Sequence, residues 1–275
     1  MNEWDATSYA GKSTILRVVR DEAERLFALA EPEEAWEAPT ACPGWTTRDV
    51  VAHIVDTTEG YFAGFDVARG GAETGADSGA AYGLPGMGAR VNEQAMALRG
   101  IPQKELLDRL VTDFERMQAI LRELGEDEWA GLTVPHFYMG PLPAYFYAAG
   151  QLMDYAVHSW DIRQGTGRAH GLSGEAADLL VPFMFVLWQS TIKQEADLTP
   201  FELGIRVGGV NGGDFHVSVG SGGMTYEQGS LTGLPAVIEF DAGSMVLTTF
   251  GRSNAGTVRG DQAIADRYLN LFFRI

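Results

Sequence analysis

The chain has 275 residues, of which 45% are hydrophobic, a length and composition that allow two domains with separate cores. Its 20 basic and 37 acidic residues give a formal charge of −17, which opposes binding to nucleic-acid phosphates and to anionic membranes. Because Cys42 is the single cysteine, the N-terminus lacks a signal-peptide pattern and the longest apolar run is too short to span a bilayer, we expect a soluble cytoplasmic protein without an internal disulfide.

Residues 1 to about 195 show the periodicity of amphipathic helices. In the first helix, apolar residues recur at helical spacing over residues 15–30. A second helix is expected to begin after the motif CPGW, with Thr46 as its N-cap and Asp49 in the capping-box position three residues later. This second helix contains His53 within an otherwise apolar run.

Residues 64–88 are rich in Gly and Ala and have no regular apolar period, so they predict a long loop. Loops of this length in compact domains are commonly either surface insertions or lids over a pocket. The sequence leaves both interpretations open.

Three further helices are predicted, over residues 102–124, 143–165 and 173–193. The middle one begins at Pro143, a favoured first-turn residue, and ends at Gly165, a typical helix-ending glycine. Amphipathic helices joined by long connections predict a bundle, here over residues 1–197, and facing helices of a bundle commonly supply metal ligands.

After residue 200 the sequence changes to short alternating runs separated by glycine, which is the pattern of strands. Five strands are predicted, at residues 201–209, 214–221, 223–230, 236–243 and 244–251. A last helix over residues 261–275 has apolar residues that would cover one face of this sheet. Residues 198–275 are therefore expected to form a small α+β domain, and the whole chain a two-domain α+β protein.

Asp154 and His158 are four residues apart in a predicted helix, so their side chains lie one turn apart on one face. Together with His53 from another helix, they form a set of two histidines and one carboxylate. Such a set can hold a divalent metal and leave one coordination position open. A packed core histidine and an intrahelical hydrogen bond would explain the same residues without a metal.

Asp161 shares the helix face of these two candidates, and several polar residues on one face of a largely apolar helix require a reason. We expect Asp161 either to be an alternative ligand or to orient an imidazole by accepting its N–H hydrogen. Asp49 and Asp56, one turn on either side of His53, are candidates for the same orienting role.

Two segments, CPGWTTRDVVAHIVD at residues 42–56 and DYAVHSWDIRQGTG at residues 154–167, resemble the paired signature of the mycothiol-dependent maleylpyruvate isomerase family. Nearer the C-terminus, LTGLPAVIEF and FGRSNAGTVRGDQAIADRYLNLF resemble the second domain of the same family. The resemblance implies an N-terminal DinB-like helical bundle, with four main helices and an extra one, and a C-terminal domain similar to sterol carrier proteins.

By this resemblance, the family's metal ligands fall on His53, Asp154 and His158, and its metal is a divalent cation, usually zinc. The family's carboxylate is more often a glutamate, so Asp154 is one methylene shorter. The resemblance also implies an arginine of the C-terminal domain near the substrate, which falls on Arg252. It further implies a low-molecular-weight thiol such as mycothiol as cosubstrate.

The resemblance thus predicts an enzyme that activates a thiol for addition to an electrophilic small molecule, giving isomerisation or thiol transfer. Cys42 is expected to be a packed small residue and not the nucleophile. Two other functions remain open. One is a non-catalytic small-molecule-binding protein with a structural or vestigial metal site, and the other is an iron oxygenase that uses the same three ligands.

Overall fold

The computed structural model describes residues 2–70, 86–167 and 170–273. The chain divides into two compact units, Met1–Leu172 and Ser173–Ile275. The first unit is helical and the second is built on a five-stranded sheet, which confirms the predicted two-domain α+β fold class. Within the described ranges, no helix combines the length and the apolar character that a membrane crossing requires.

The helices of the first unit, in chain order, are α1 (Lys12–Ala30), α2 (Glu33–Trp36), α3 (Thr47–Ala68), α4 (Met87–Ala97), α5 (Gln103–Glu123), α6 (Glu126–Gly131) and α7 (Tyr145–Gly165). The four longest correspond to the four helices predicted before residue 165. Two short strands, β1 (Thr133–Val134) and β2 (Leu142–Pro143), pair antiparallel immediately before α7. Helix α4 was not predicted, because its single buried residue is Ala95 and it therefore has almost no apolar stripe.

The loop predicted over residues 64–88 is wrong at both ends. Helix α3 continues to Ala68 and α4 begins at Met87. At Gly64, helix α3 passes close to the segment that follows β1. An added Cβ would be 2.7 Å from the carbonyl oxygen of Pro135, so this position inside the helix requires a glycine. Residues 71–85, where a lid would lie, are outside the described residues.

Helix α7 supplies the centre of the bundle core, and buried residues occur all around it. The ring of Tyr155 packs edge-to-face on Phe27 of α1 and Phe114 of α5, with ring centroids 6.0 and 5.6 Å away. Because α7 is enclosed by other helices, the polar side chains that it carries toward α3 are also partly or fully buried. The bundle therefore holds the predicted site residues in a largely dehydrated place.

The N-terminus of α3 is fixed by the predicted capping box between Thr46 and Asp49. The Asp49 carboxylate accepts the backbone N–H of Thr46 at 2.8 Å and two hydrogen bonds from Arg99, at 2.6 and 2.7 Å. Both of its oxygens are therefore used at the start of the helix. The role considered for Asp49 beside His53 is not supported by this geometry.

The elements of the second unit are α8 (Gly174–Ser190), β3 (Phe201–Val207), β4 (Gly213–Gly220), β5 (Gly223–Gln228), β6 (Ala236–Phe240), α9 (Ala242–Thr249), β7 (Thr257–Gly260) and α10 (Gln262–Leu269). The strand order in the sheet is β5-β4-β3-β6-β7. Strands β3 and β6 are parallel, and the other neighbours are antiparallel.

The strand predicted over residues 244–251 is wrong, because this segment lies mostly in helix α9. Asp241 caps the helix by accepting the backbone N–H of Ser244 at 2.8 Å. A short apolar run with this composition fits either a strand or one buried face of a helix. Here the N-cap hydrogen bond to Asp241 stabilises the helix. The fifth strand of the sheet is instead β7.

Helix α8 packs within the second unit, although the sequence places it in a bundle that ends at residue 197. The ring of Phe185 stacks on Tyr226 of β5 with centroids 4.4 Å apart, and Trp188 stacks on Phe272 at 5.7 Å. The division between compact units falls between residues 172 and 173. An apolar helix is recognisable from its sequence, but the surface on which it packs is not.

We predict that Asp49→Ala lowers the free energy of unfolding by about 2 kcal/mol, because it removes a helix cap and leaves Arg99 without its buried partner. Urea denaturation followed by the helical circular dichroism signal measures this change. The matched control is Asp21→Ala. Asp21 pairs with Arg17 at 3.0 Å on the exposed surface of α1, where an ion pair contributes about 0.5 kcal/mol or less.

The contribution of Asp49 should also depend on pH. Burial acts to raise the pKa of Asp49, but the hydrogen bonds from Arg99 and Thr46 outweigh it and the folded-state pKa is lowered. Its stabilisation is therefore present above the ordinary carboxyl pKa of about 3.9 and is lost as the pH falls through the lower folded-state value. Equal losses for the two variants at pH 7 would contradict this account of α3.

Candidate metal centre

The three candidate ligands come together on two facing helices of the first unit. His53 is in the second turn of α3, and Asp154 and His158 are one turn apart in α7. One potential ligand atom from each residue lies within 4.8 Å of the other two, and His53 Nε2 is 3.7 Å from Asp154 Oδ1. The two imidazoles meet edge-to-face, with ring centroids 5.1 Å apart.

Helices α3 and α7 run antiparallel through this site. His53 faces His158, and eight residues further along α3 Tyr61 lies against Gly150, eight residues before His158 in α7. Eight residues of helix span about 12 Å. Asp154 is midway along α7 between the paired histidines and the Tyr61 contact.

Asp161 orients the imidazole of His158. Its Oδ2 atom is 2.9 Å from His158 Nδ1, and the Asp161 side chain is fully buried. A carboxylate can only accept, so Nδ1 carries the proton and Nε2 is the nitrogen available to coordinate. Of the two predicted roles for Asp161, this geometry favours the orienting one.

His53 is oriented in a similar way, but by a different residue from the one considered in the sequence. Its Nδ1 atom is 3.3 Å from the hydroxyl of Thr57, one turn further along α3, which leaves Nε2 toward Asp154. Burial raises the pKa of Asp56, and its interaction with His53 partly opposes that rise. A threonine at i+4 is the sequence signal that would have identified this contact.

Cys42 is part of the environment of His158. Its thiol is half-buried and donates a hydrogen bond to Asp161 Oδ2 at 3.1 Å, while Sγ is 3.9 Å from His158 Nδ1. Ligand atoms of Cys42, His158 and Asp161 also lie within 4.8 Å of one another. In the set of Cys42, His158 and Asp161, hydrogen bonds already join the potential ligand atoms. In the set of His53, Asp154 and His158, two imidazole nitrogens and a carboxylate oxygen face one point.

Trp45 forms a wall over the two histidines. Its ring centroid is 5.5 Å from that of His53 and 6.3 Å from that of His158. The indole Nε1 donates to Asn92 Oδ1 of α4 at 2.9 Å, which fixes the ring in place. The sequence identified Trp45 only as part of the turn before α3, because a ring contact of this kind depends on the tertiary fold.

Tyr61 and His136 lie on the other side of Asp154. Burial, and then the charge of Asp154, raises the pKa of Tyr61 well above its ordinary value. Burial lowers the pKa of His136 to about 4, and Asp154 only partly opposes this shift. Both side chains are therefore uncharged at neutral pH. Neither residue was identified as a candidate from the sequence.

Arg252 lies in the second unit, in the loop that follows α9. Its backbone N–H donates to the carbonyl of Leu247 at 2.8 Å, and its guanidinium donates to the carbonyl of Phe250 at 2.8 Å. These contacts hold the loop after α9. The contact of Arg252 with a substrate remains a prediction.

The residues of the first set fit a divalent metal. In a tetrahedral zinc site, ligand atoms about 2.1 Å from the ion are about 3.4 Å from each other. The 3.7 Å separation between His53 and Asp154 is close to this value, and small side-chain rotations close the rest. Two imidazoles and one carboxylate are suitable ligands for zinc, and three protein ligands leave one position open.

The chain was compared with known proteins. A family model described as the mycothiol maleylpyruvate isomerase N-terminal domain matches residues 16–163. The crystal structure of the mycothiol-dependent maleylpyruvate isomerase is similar over 90% of both chains, with a TM-score of 0.58 and 16% identity. A variant of that isomerase with one histidine changed to alanine matches over 90% of both chains at 0.56 and 15%.

At this level of identity, these two structures establish the fold alone. The colibactin self-resistance protein ClbS, in complex with double-stranded DNA, matches 58% of this chain and 97% of its own with a TM-score of 0.45 and 14% identity, too low a similarity to bear on function. No curated protein matches the chain.

We predict that Asp161→Asn weakens zinc binding roughly 10- to 100-fold, because a carboxylate that fixes the tautomer and raises the basicity of a metal-bound histidine is lost. Competition with a chelating dye measures this affinity, and circular dichroism checks that the helices remain folded. The matched control is Asp56→Asn, one turn from His53, which should change the affinity much less because Thr57 meets the imidazole. Equal effects of the two substitutions would contradict the role of Asp161.

Proposed function

Since the chain belongs to the mycothiol maleylpyruvate isomerase family, whose N-terminal domain model covers more than half of it, we propose that it is a divalent-metal-dependent enzyme that activates a low-molecular-weight thiol. The thiol is mycothiol or a close relative, and it attacks an electrophilic small molecule. The product is then either an isomer of the substrate or a thiol adduct.

The observation that carries this proposal is the convergence of His53, Asp154 and His158 from two helices. Their side chains are 13%, 18% and 10% exposed, so the site is dehydrated but reachable from solvent. Structural zinc sites are usually closed by four protein ligands, whereas catalytic sites keep a position for water or substrate. Three ligands in a partly accessible place therefore favour catalysis over a structural role.

A bound divalent ion, zinc in our proposal, would supply positive charge that lowers the pKa of a thiol from its ordinary value of about 8.5, so that thiolate is populated at neutral pH. His53, Asp154 and His158 would hold the ion, and Asp161 would keep Nε2 of His158 directed at it. The Trp45 ring lies over the two imidazoles and would keep water from that side of the ion. Removing water strengthens every charge interaction inside the site.

The reacting sulfur belongs to the cosubstrate and not to the protein. Cys42 is the single cysteine, and its thiol donates a hydrogen bond to the buried carboxylate of Asp161. It is held behind the imidazole of His158, on the Nδ1 side, away from the point where the candidate ligands converge. This position supports a structural role for Cys42.

The proposed steps conserve atoms and electrons. In isomerisation, the thiolate adds to one carbon of a conjugated double bond, the resulting single bond rotates, and elimination of the thiolate restores the double bond. In thiol transfer, the carbon–sulfur bond remains and a leaving group departs, or a proton is added. Arg252 is proposed to pair with a carboxylate of the substrate or the thiol, for which a guanidinium offers two parallel hydrogen bonds.

The partner is therefore a small electrophilic molecule. Nucleic acid is not expected, because a formal charge of −17 repels phosphate backbones. The metal must also be identified, since two histidines and a carboxylate are suitable ligands for Fe(II) as well as zinc.

We predict about one divalent ion per chain in the purified or zinc-reconstituted protein, and about tenfold or greater loss of affinity in His158→Ala. Metal analysis measures the content, and a thiol-transfer screen with mycothiol measures the associated activity. The control is His216→Ala, on strand β4 of the other unit, which should keep both metal and activity.

Protein that contains no stoichiometric metal and cannot regain it would contradict the catalytic proposal. If His53→Ala loses the metal but leaves ligand binding and every detectable activity unchanged, the metal has no catalytic role. That result would support the alternative, a small-molecule-binding protein with a structural or vestigial metal site.

A further inference from the structure

Two hydrogen-bond donors next to Asp154 have no part in holding a metal. They are the hydroxyl of Tyr61 and the imidazole of His136, whose rings are 6.1 Å apart. The Tyr61 hydroxyl lies against Gly150, one turn before Asp154 in α7, and the His136 ring is the neighbour of the Tyr61 ring. Their positions are fixed by separate structural features.

The Tyr61 hydroxyl contacts the backbone of α7 at Gly150, where the absence of a side chain makes room for it. An added Cβ at Gly150 would lie 2.7 Å from the Tyr61 hydroxyl oxygen, so any side chain at position 150 would displace the phenol. The ring is held from the side by Tyr147, edge-to-face at 4.9 Å. Gly150 is one turn before Asp154 in α7, which places the hydroxyl beside the candidate ligands and not among them.

His136 is held in one tautomer by its own loop. Its Nδ1 atom accepts the backbone N–H groups of Tyr138 and Met139, at 3.3 and 3.2 Å. An acceptor nitrogen carries no proton, so in the neutral ring the proton is on Nε2, on the opposite edge of the ring. Two backbone hydrogen bonds between His136 and Gly140, at 3.0 and 3.2 Å, close this loop.

The residue that follows Gly150 in α7, Gln151, is a buried polar side chain near these donors. Its side chain is 1% exposed, and within the described residues neither its amide nitrogen nor its amide oxygen has a hydrogen-bond partner. A buried amide without a partner costs about 1–3 kcal/mol unless a ligand or water satisfies it. Gln151 is three residues before Asp154, on the neighbouring part of the same helix surface.

We propose that the Tyr61 O–H and the His136 Nε2–H form an oxyanion site, which binds the carbonyl oxygen of the substrate while a thiolate adds to the conjugated double bond. This inference rests on the proposed function. The two donors would therefore contribute to conjugate addition to an unsaturated carbonyl compound, and not to displacement at a saturated carbon that bears a leaving group.

The electron balance explains why the donors matter only for this class. The thiolate forms a carbon–sulfur bond to the β-carbon, the electrons of the double bond move toward the carbonyl, and negative charge appears on oxygen. Elimination breaks the carbon–sulfur bond and returns those electrons, so no oxidant or reductant is needed. In displacement at a saturated carbon, the electron pair leaves with the leaving group and no oxygen gains charge.

Uncharged donors suit this task. A phenol hydroxyl and the Nε2–H of an imidazole whose Nδ1 is an acceptor both donate without carrying a charge, so they become fully engaged only as negative charge develops on the substrate. Donors fixed before the reaction, in a place without water, stabilise the transition state more than they stabilise the substrate.

The test compares two electrophiles of nearly equal size that carry the same amide. Acrylamide takes the thiolate by conjugate addition, and iodoacetamide takes it by displacement of iodide. The zinc-loaded full-length protein is assayed with mycothiol and each electrophile, as wild type, Tyr61→Phe and His136→Asn. Asparagine keeps an acceptor for the loop N–H groups at the place of Nδ1 but lacks the Nε2 donor.

Each substitution should lower kcat/KM for acrylamide roughly 100-fold, as loss of one oxyanion donor does in other enzymes. The same substitutions should change the rate with iodoacetamide by less than about threefold and leave the zinc content unchanged. The structural control is Tyr147→Phe, which loses the hydrogen bonds from its hydroxyl to the carbonyls of Val134 and Pro135. It should affect both electrophiles equally.

Equal losses with both electrophiles, or no loss with either, would overturn the oxyanion site while leaving the proposed thiol activation standing. If the wild-type protein binds zinc but accelerates neither reaction, the proposed function itself fails, and the oxyanion site fails with it. The two failures are distinguishable, because failure of the proposed function is measured on the wild-type protein alone, whereas failure of the oxyanion site is measured on the variants.

Discussion

The candidate site depends on one buried carboxylate. Asp161 accepts hydrogen bonds from His158 Nδ1 and from the thiol of Cys42, and its backbone carbonyl accepts the N–H of Ala41 at 2.9 Å. A fully buried carboxylate is stable only when such donors surround it. Asp161 thereby joins the segment before α3 to α7 and fixes the imidazole that faces His53. Around this junction, Thr57 orients His53 and Asn92 holds the Trp45 ring, which completes the site.

The antiparallel pairing of α3 and α7 divides the site into two parts about 12 Å apart along the helices. At one end, His53 and His158 meet beneath Trp45. At the other, Tyr61 lies against Gly150 and beside His136. Asp154 is between them along α7, with its Oδ1 atom 3.7 Å from His53 Nε2. This arrangement separates the groups that would activate a thiol from those that would receive the charge of its reaction with a substrate.

Much of this could be predicted from sequence where local spacing determines geometry. The i, i+4 relation of Asp154 and His158, the capping box at Thr46 and the apolar stripes of the main helices are local. Thr57 and Tyr61, at i+4 and i+8 from His53, carry the same signal but were overlooked. The tautomer of His136, the aromatic partners of α8 and the helical state of residues 244–251 depend on tertiary contacts or on a cap, which hydrophobic periodicity does not encode.

The central claim is that His53, Asp154 and His158 hold a divalent metal whose open position receives the sulfur of a cosubstrate. X-ray absorption of the zinc-loaded protein, with and without mycothiol, tests it most directly. The account predicts only nitrogen and oxygen ligands at about 2.0–2.2 Å without the thiol, and one added sulfur at about 2.3 Å with it. A sulfur ligand already present without the thiol would assign the metal to Cys42, and an unchanged spectrum on adding mycothiol would contradict thiol activation at this site.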